Sequence, residues 1–226
     1  MTRSAVGVCV LAVVIVAALV FPSSANAALI TFNSRPAFNA AAPGLPVEDF
    51  QNGNIPVGAT ACPGPFNSAT NNACFSPGDL LPGISYAAVP GPSMVLLGPG
   101  IPPGFTTLHI GPNAFADAFD ITMSASSAIG FDLGANAPGN VLVSVFDGGG
   151  ILIAPAFNVA VSATSTIFLG LINTTGLIGR VNLSGPLGEV IDNVAFGQPQ
   201  TAIPEPASLL LLGAGVAALR LRRRVR

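Results

Sequence analysis

The sequence predicts an all-β fold, a sandwich or a barrel, for the part of the chain between its two ends. Short apolar runs recur about every ten residues in the second half, and each is bounded by Gly, Pro, Asn or Ser. The 226 residues include 26 glycines and 21 prolines, and only 8% are charged. Many short strands separated by turns are typical of sandwiches and barrels, and we predict no long helix between the ends.

The first part of this domain alternates short strands with turns. Residues 28–32 predict a strand, residues 35–42 one or two helical turns, and residues 47–50 a second strand that carries two acids. Residues 51–83 are rich in turn-forming residues and predict a long surface loop. Two strands follow at 84–89 and 94–97, and the Pro- and Gly-rich segment 99–104 excludes regular structure.

The strand pattern is stronger in the second part of the domain. Nine strands are predicted there, at residues 105–110, 118–124, 128–133, 141–146, 151–153, 157–162, 166–171, 177–183 and 190–196. Residues 147–150, Asp-Gly-Gly-Gly, predict a hairpin turn, because glycine adopts the positive backbone angles that tight connections need.

The N-terminus has the three parts of a secretory signal. Arg3 supplies the positive charge, residues 6–21 are apolar, and a helix-breaking stretch ends in the small-residue pair Ala25 and Ala27. We predict a signal peptide over residues 1–27, cleaved after Ala27, so that Cys9 is discarded with it. The alternative is a retained membrane helix.

The C-terminus ends in an apolar segment followed by a basic cluster. Residues 207–219 are uncharged, and five arginines follow them: Arg220, Arg222, Arg223, Arg224 and Arg226. Such a pattern is stable when the apolar part lies in lipid and the arginines stay at the cytoplasmic surface. Thirteen helical residues span about 20 Å against a hydrocarbon core of roughly 30 Å, so the predicted transmembrane helix is a marginal one. The alternative is an amphipathic or core helix.

The motif that precedes this helix, Ile203, Pro204, Glu205 and Pro206, resembles the PEP-CTERM sorting signal of bacteria that make extracellular polysaccharide. The resemblance implies an exosortase that cuts at or near the motif and releases a transiently anchored precursor to the cell surface or the medium. The chain then divides into a signal peptide at 1–27, a β domain at 28–197, a linker at 198–206 and a membrane helix with its basic tail at 207–226.

The predicted β domain is acidic. It contains nine Asp and Glu residues and only two basic residues, Arg35 and Arg180. Nine negative charges and two positive charges give a formal charge of minus seven. An acidic surface repels phosphate backbones, so nucleic acid is excluded as a partner.

Cys62 and Cys74 lie in the turn-rich segment, without a histidine nearby. An exported protein meets an oxidising compartment, and a pair of cysteines that closes a short loop predicts a disulfide. Metal binding would need more ligands than this segment offers.

The second part of the domain resembles the globular part of many PEP-CTERM proteins at residues 128–133, 141–150 and 191–197. Its final strand is similar to that of jelly-roll carbohydrate-binding modules. The resemblance implies a jelly-roll-like β-sandwich and an extracellular polysaccharide as a partner. Asp132, Asn136, Asn140 and Asp147 are candidate sugar contacts, although all four could equally be turn formers.

Catalysis has weak support in the sequence. His109 is the only histidine and sits within a predicted strand, as a structural or surface histidine would. The pairs Glu48 with Asp49 and Asp117 with Asp120 could hydrolyse glycosides, but the chain has no Trp and one Tyr to hold a sugar. We therefore predict a non-catalytic surface or matrix protein, with a secreted polysaccharide hydrolase as the alternative.

The last strand suggests a cation site. Alternation places Val190, Asp192, Val194 and Phe196 on one buried face, where an ionised Asp needs a partner. Similar jelly rolls hold calcium with a terminal-strand Asp and an early acid, which implies a structural calcium ion between Asp192 and Glu48. The alternative is an Asp192 that is hydrogen-bonded to nearby backbone without a metal.

Overall fold

The computed structural model describes residues 29–55 and 58–200. The predicted signal peptide, the sorting motif and the C-terminal helix lie outside the described residues. Within them, fourteen strands and one helix occur in this order: β1 Leu29–Phe32, α1 Arg35–Ala41, β2 Val47–Glu48, β3 Ala59–Pro63, β4 Phe66–Asn67, β5 Ile84–Val89, β6 Ser93–Leu97, β7 His109–Pro112, β8 Ala118–Ser126, β9 Ala128–Ala135, β10 Gly139–Phe146, β11 Phe157–Val161, β12 Ile167–Asn173, β13 Ile178–Ser184 and β14 Glu189–Gly197.

Among the described residues, no helix has both the length and the apolar composition that crossing a membrane would require.

The strands form two antiparallel sheets. Sheet A has the order β1-β12-β9-β14-β7-β6-β3, with β2 also paired to β14, and sheet B has the order β11-β10-β13-β8-β5-β4. Consecutive strands change sheets repeatedly, in the manner of a jelly roll. The predicted all-β sandwich is confirmed.

Alternating side chains build the main core between the two sheets. In β8, Phe119 and Ile121 are fully buried and face the core, while Asp120 lies on the opposite face of sheet B. The same alternation runs through β10 and β13. Sheet B therefore presents a mostly polar face away from the core.

The outer face of sheet A is covered at one end by helix α1. Phe38 of the helix is fully buried and packs 5.6 Å, between ring centroids, from Phe168. The approach is close because Gly130 and Gly170, paired across β9 and β12, have no side chain: a Cβ at either position would lie within 2.8 Å of the Phe38 ring.

The segment predicted to be a surface loop, residues 51–83, is partly a core element. It contains β3 and β4, and Phe66, Phe75 and Leu80 are almost completely buried in the main core. Phe66 and Phe75 pack edge to face at 5.2 Å. The predicted disulfide is confirmed: Cys62 and Cys74 are bonded, and their Cα atoms are 6.2 Å apart. The sequence pattern did not predict that Phe66, Phe75 and Leu80 are buried, because these apolar residues are spaced irregularly among turn-forming residues.

The prediction that Val190, Asp192, Val194 and Phe196 share one face of the last strand is wrong beyond Asp192. Asn193 has a positive φ of 51°, and the register of β14 against β9 shifts between Asp192 and Ala195. This bulge adds one residue to the strand and reverses the side-chain alternation. Val194 and Phe196 therefore face the main core, whereas Val190 packs on the outer side with Val95, Leu97 and Phe105.

Candidate functional site

A groove lies at the side of the sandwich where both sheets end. It has a volume of about 720 Å³ and is lined by residues 31–33, 157–159 and 166–169. These residues belong to the edge strand of sheet A, the edge strand of sheet B, and the start of β12. We call this cavity the edge groove.

The groove exists because β1 is short. The pairing of β1 with β12 stops at Phe32 and Gly170, so among the described strands Ile167 to Leu169 has only β9 as a neighbour. The chain turns away at Asn33 to begin α1. Strand β11, in the other sheet, forms the opposite wall.

The groove combines aromatic faces with amide and hydroxyl groups. Phe32, Phe157 and Phe168 are half-buried, and Asn33 and Asn158 are exposed. Neither amide forms a side-chain hydrogen bond to another described residue. An amide that is not used internally offers both donors and an acceptor to a ligand.

Arg35 contacts the Phe168 ring, which lines the groove. Its guanidinium carbon lies 4.6 Å from the centre of the Phe168 ring, a cation–π contact. The same group donates to an Asp132 carboxylate oxygen at 2.9 Å and to the Asn193 carbonyl at 3.0 Å. Asn193 also donates its side-chain amide to Asp132 at 2.9 Å. The Phe168 ring is therefore fixed from behind by a neutralised ion pair.

The two residues of the predicted calcium site have separate partners. Glu48 pairs with Val194 and accepts hydrogen bonds from the backbone N–H groups of Phe50 and Leu81, at 3.1 and 2.6 Å. Asp192 accepts from the Thr107 hydroxyl and the Asn193 N–H, at 2.5 and 2.6 Å.

The bulge at Asn193 separates these two carboxylates. It puts Glu48 on the core side with Val194, and Asp192 on the outer side. No cluster of three or more His, Cys, Asp or Glu side chains within residues 29–55 and 58–200 is placed to hold a metal. Asp192 is hydrogen-bonded to Thr107 and to the Asn193 N–H, and the calcium site stays a prediction.

Burial raises the pKa of both of these acids. It raises the pKa of Asp192 to about 6, against the hydrogen bonds from Thr107 and Asn193, which lower it. Burial likewise raises the pKa of Glu48, and its backbone donors offset part of that change.

The candidate catalytic carboxylates line neither of the two cavities described here, the edge groove and a smaller one near Gln51. Asp120 is mostly buried on the far face of sheet B, where it accepts from Arg180 at 3.0 Å and from Asn182 at 2.6 Å. Asp117 is half-buried just before β8, and Asp49 is exposed after β2. Neither the edge groove nor a second cavity of about 440 Å³, near Gln51 and Leu108, has an acidic lining residue.

The four candidate sugar contacts are dispersed. Asp132 binds Arg35, Asn136 donates to the Gly188 carbonyl at 3.3 Å, and Asn140 is exposed on β10. Asp147 accepts from the N–H groups of Gly149 and Ile151 at 2.9 and 2.8 Å, as a turn former does.

His109 has a structural environment. It is fully buried, its ring nitrogens contact the carbonyls of Thr107 and Ile101, and it stacks on Phe105 at 4.1 Å. Burial lowers its pKa, while the two carbonyls act in the opposite direction.

Glu189 is a buried acid that the sequence analysis did not single out. Its side chain is fully buried, and neither carboxylate oxygen has a hydrogen-bond partner among the described residues. Burial raises its pKa to about 7; the N–H groups of Leu187 and Glu189 lower it slightly without reaching hydrogen-bond geometry. Only its position at the start of a buried strand could have identified it.

The fold and the groove define a β-sandwich domain with an open, partly aromatic groove at its edge. The chain also carries a PEP-CTERM protein-sorting motif, which matches residues 202–224. This motif marks proteins that are exported, processed at the membrane by exosortase, and released to the cell surface or the extracellular space. The predicted sorting signal and localisation are confirmed.

Three solved structures to which part of this chain is similar are carbohydrate-binding modules. The module TmCBM61 in complex with β-1,4-galactotriose is 12% identical, with a TM-score of 0.36, and covers 51% of this chain and 88% of its own. A family 29 module complexed with cellulohexaose is 14% identical, with a TM-score of 0.32 and coverages of 63% and 94%. A module from Cellvibrio mixtus lichenase 5A with cellotriose is 9% identical, with a TM-score of 0.29 and coverages of 69% and 98%. No curated protein matches the chain in sequence.

Proposed function

We propose that the exported domain is a non-catalytic cell-surface or matrix protein that binds extracellular polysaccharide in the edge groove. The observation that carries this proposal is the lining of the groove, where half-buried Phe rings stand beside amides and hydroxyls that form no side-chain hydrogen bond to another described residue. Sugar rings have apolar C–H faces and hydroxyl rims. They match a surface that offers both aromatic faces and hydrogen-bonding groups.

The shape of the groove supports a polymer as the ligand. It opens along the side of the sandwich, and its lining comes from three strand segments rather than from a closed ring of loops. A chain-like ligand could enter and leave such a site along its length. Concave sites with a few polar groups are the usual places for ligand binding.

The hydrolase alternative lacks a specific supporting observation. Glycoside hydrolysis requires two carboxyl groups about 5 to 10 Å apart on either side of the bond. Neither described cavity supplies a carboxylate, and Asp120 is occupied by Arg180 and Asn182.

Binding should fall when the groove is altered. Replacement of Phe157 by Ala should weaken binding of the exported protein to extracted exopolysaccharide about tenfold or more, since burying a Phe side chain contributes about 1.5 to 3 kcal/mol. The double variant Asn33→Ala with Asn158→Ala tests the polar contacts with less risk to packing, because both side chains are exposed. Affinity is measured by co-sedimentation or affinity electrophoresis.

Matched controls lie on the outer face of sheet B, beyond the residues that line the groove. Phe146→Ala removes a ring that stacks on Arg180 at 4.2 Å, and Asn140→Ala removes an exposed amide, both outside the groove. These variants should bind as the unaltered protein does. Equal losses in groove and control variants, or binding that survives both groove changes, would contradict the proposal.

Processing provides a separate test of the sorting signal. In an exosortase-bearing host, the mature protein should begin at Ala28 and be cut near residues 204–206. Replacing Arg222, Arg223 and Arg224 by Ser should weaken membrane retention of the precursor, because it reduces the positive charge on the cytoplasmic side. Intact-mass measurement decides it: an exported protein that retains the arginine tail in such a host would refute the second cut.

A further inference from the structure

The exported domain has almost no cationic side chain that is free to meet a ligand. Between residues 28 and 200 the sequence contains two arginines and no lysine. Arg35 is paired with Asp132 at 2.9 Å, and Arg180 is paired with Asp120 at 3.0 Å. The only histidine is fully buried with both ring nitrogens in contact with carbonyls.

The pairing matters most at Arg35, because this arginine lies directly behind the groove. Its guanidinium contacts the ring of Phe168, which lines the groove. Asp132 accepts from both Arg35 and Asn193, so the carboxylate is held firmly against the guanidinium. Asp192 pairs with Asp132 across the sheet, which places a second acid close to the same ion pair. The positive charge near the groove is therefore cancelled from within the protein.

We infer that the edge groove selects neutral polysaccharides and rejects acidic ones, an inference that rests on the proposed function. An ionised uronate or sulfate group would lose hydration on entering a groove that lacks a free cation, and this loss is costly without a compensating partner. The domain also carries a formal charge of minus seven, from nine acids and two arginines, and so repels a polyanion at long range. A neutral glycan meets neither penalty.

The first experiment compares ligands of the two classes. The exported protein is tested by affinity electrophoresis against neutral polysaccharides (a β-glucan, a galactan, a mannan and a xylan) and against polygalacturonate, alginate and hyaluronate. Binding to one or more neutral polymers and to none of the acidic polymers is expected. Preferential binding to an acidic polymer would overturn the inference but leave the proposed function standing, whereas binding to none of them would overturn both.

The second experiment removes the ion-pair partner of Arg35. Asp132→Asn keeps the shape of the side chain and removes its charge, so the ratio of polygalacturonate binding to neutral-polymer binding should rise by about tenfold. The matched control is Asp120→Asn, which changes the net charge equally but frees Arg180 on the far face of sheet B. It should not gain acidic binding.

Equal gains in both variants would show an effect of net charge alone and would overturn the role assigned to Arg35, as would no gain in either. The salt dependence of the unaltered protein keeps the inference testable if Asp132→Asn does not fold. Affinity for the neutral polymer should stay constant between about 0.05 and 0.5 M NaCl, because no ion pair forms with the ligand. A steep fall in affinity over this range would overturn the inference.

Discussion

Replacing Glu189 by Gln is expected to stabilise the domain by about 3 kcal/mol at pH 8 and to remove much of its pH dependence. The unaltered carboxyl is fully buried, and its oxygens have no hydrogen-bond partner among the described residues. Its pKa is raised by burial from 4.5 to about 7. The magnitude follows from this difference, because one unit of pKa corresponds to about 1.4 kcal/mol.

The sign of the pH dependence follows from where the proton binds more tightly. Glu189 holds its proton more tightly in the folded state than in the unfolded chain, so its contribution to stability is complete below about pH 4.5. That contribution is lost as the pH rises through about 7. Asp192, with a pKa raised to about 6, acts in the same direction. His109 acts in the opposite direction, because its lowered pKa favours folding above its ordinary value of 6.5.

Denaturant unfolding of the exported protein from pH 4 to 8 measures this effect. The Glu189→Gln variant should lose most of the fall in unfolding free energy between about pH 5 and 8, and should keep the smaller part due to Asp192. Asp117→Asn serves as the control, since it removes a carboxyl from a half-exposed position. Parallel pH profiles for the unaltered protein and Glu189→Gln would show that this acid does not control stability. Glu189→Met provides a second variant if the buried amide prevents folding.

Removing the Cys62 to Cys74 bond is expected to lower the unfolding free energy by about 3 kcal/mol. The bond closes a loop with a sequence separation of 12, and closing such a loop restricts the unfolded chain by about this amount. For a domain of this size the midpoint of thermal unfolding should fall by roughly 6 to 12 °C. The β-sandwich itself should persist, because β3 remains paired to β6 through five residue pairs.

The variant Cys62→Ala with Cys74→Ala tests this expectation. Reductant should destabilise the unaltered protein to about the level of the variant and should leave the variant unchanged. Two titratable thiols per mature chain without reductant, or equal midpoints for both proteins, would contradict the expectation. Circular dichroism at low temperature checks that the strands are retained.

Local signals in the sequence determined the export route and the strand framework. The signal pattern and the sorting motif are each a continuous stretch of sequence. Each depends on the charge and hydrophobicity of neighbouring residues. Strands such as β5, β8 and β13 were predicted within a few residues because alternating apolar side chains and flanking turn residues define them locally. The disulfide was predictable from two cysteines and the compartment.

Only the tertiary structure decided what these elements bring together. The edge groove joins residues 31–33 to residues 157–159 and 166–169, which lie more than one hundred positions later in the chain, and no local pattern links them. The bulge at Asn193 turned Asp192 away from the face of Val194 and Glu48, because one left-handed residue reverses every later position of a strand with a period of two. Likewise, the pairing of Arg35 with Asp132 and the isolation of Glu189 depend on register and packing between distant strands. Local chemistry thus set the elements of this protein, whereas long-range packing set the charges and surfaces on which its proposed binding function depends.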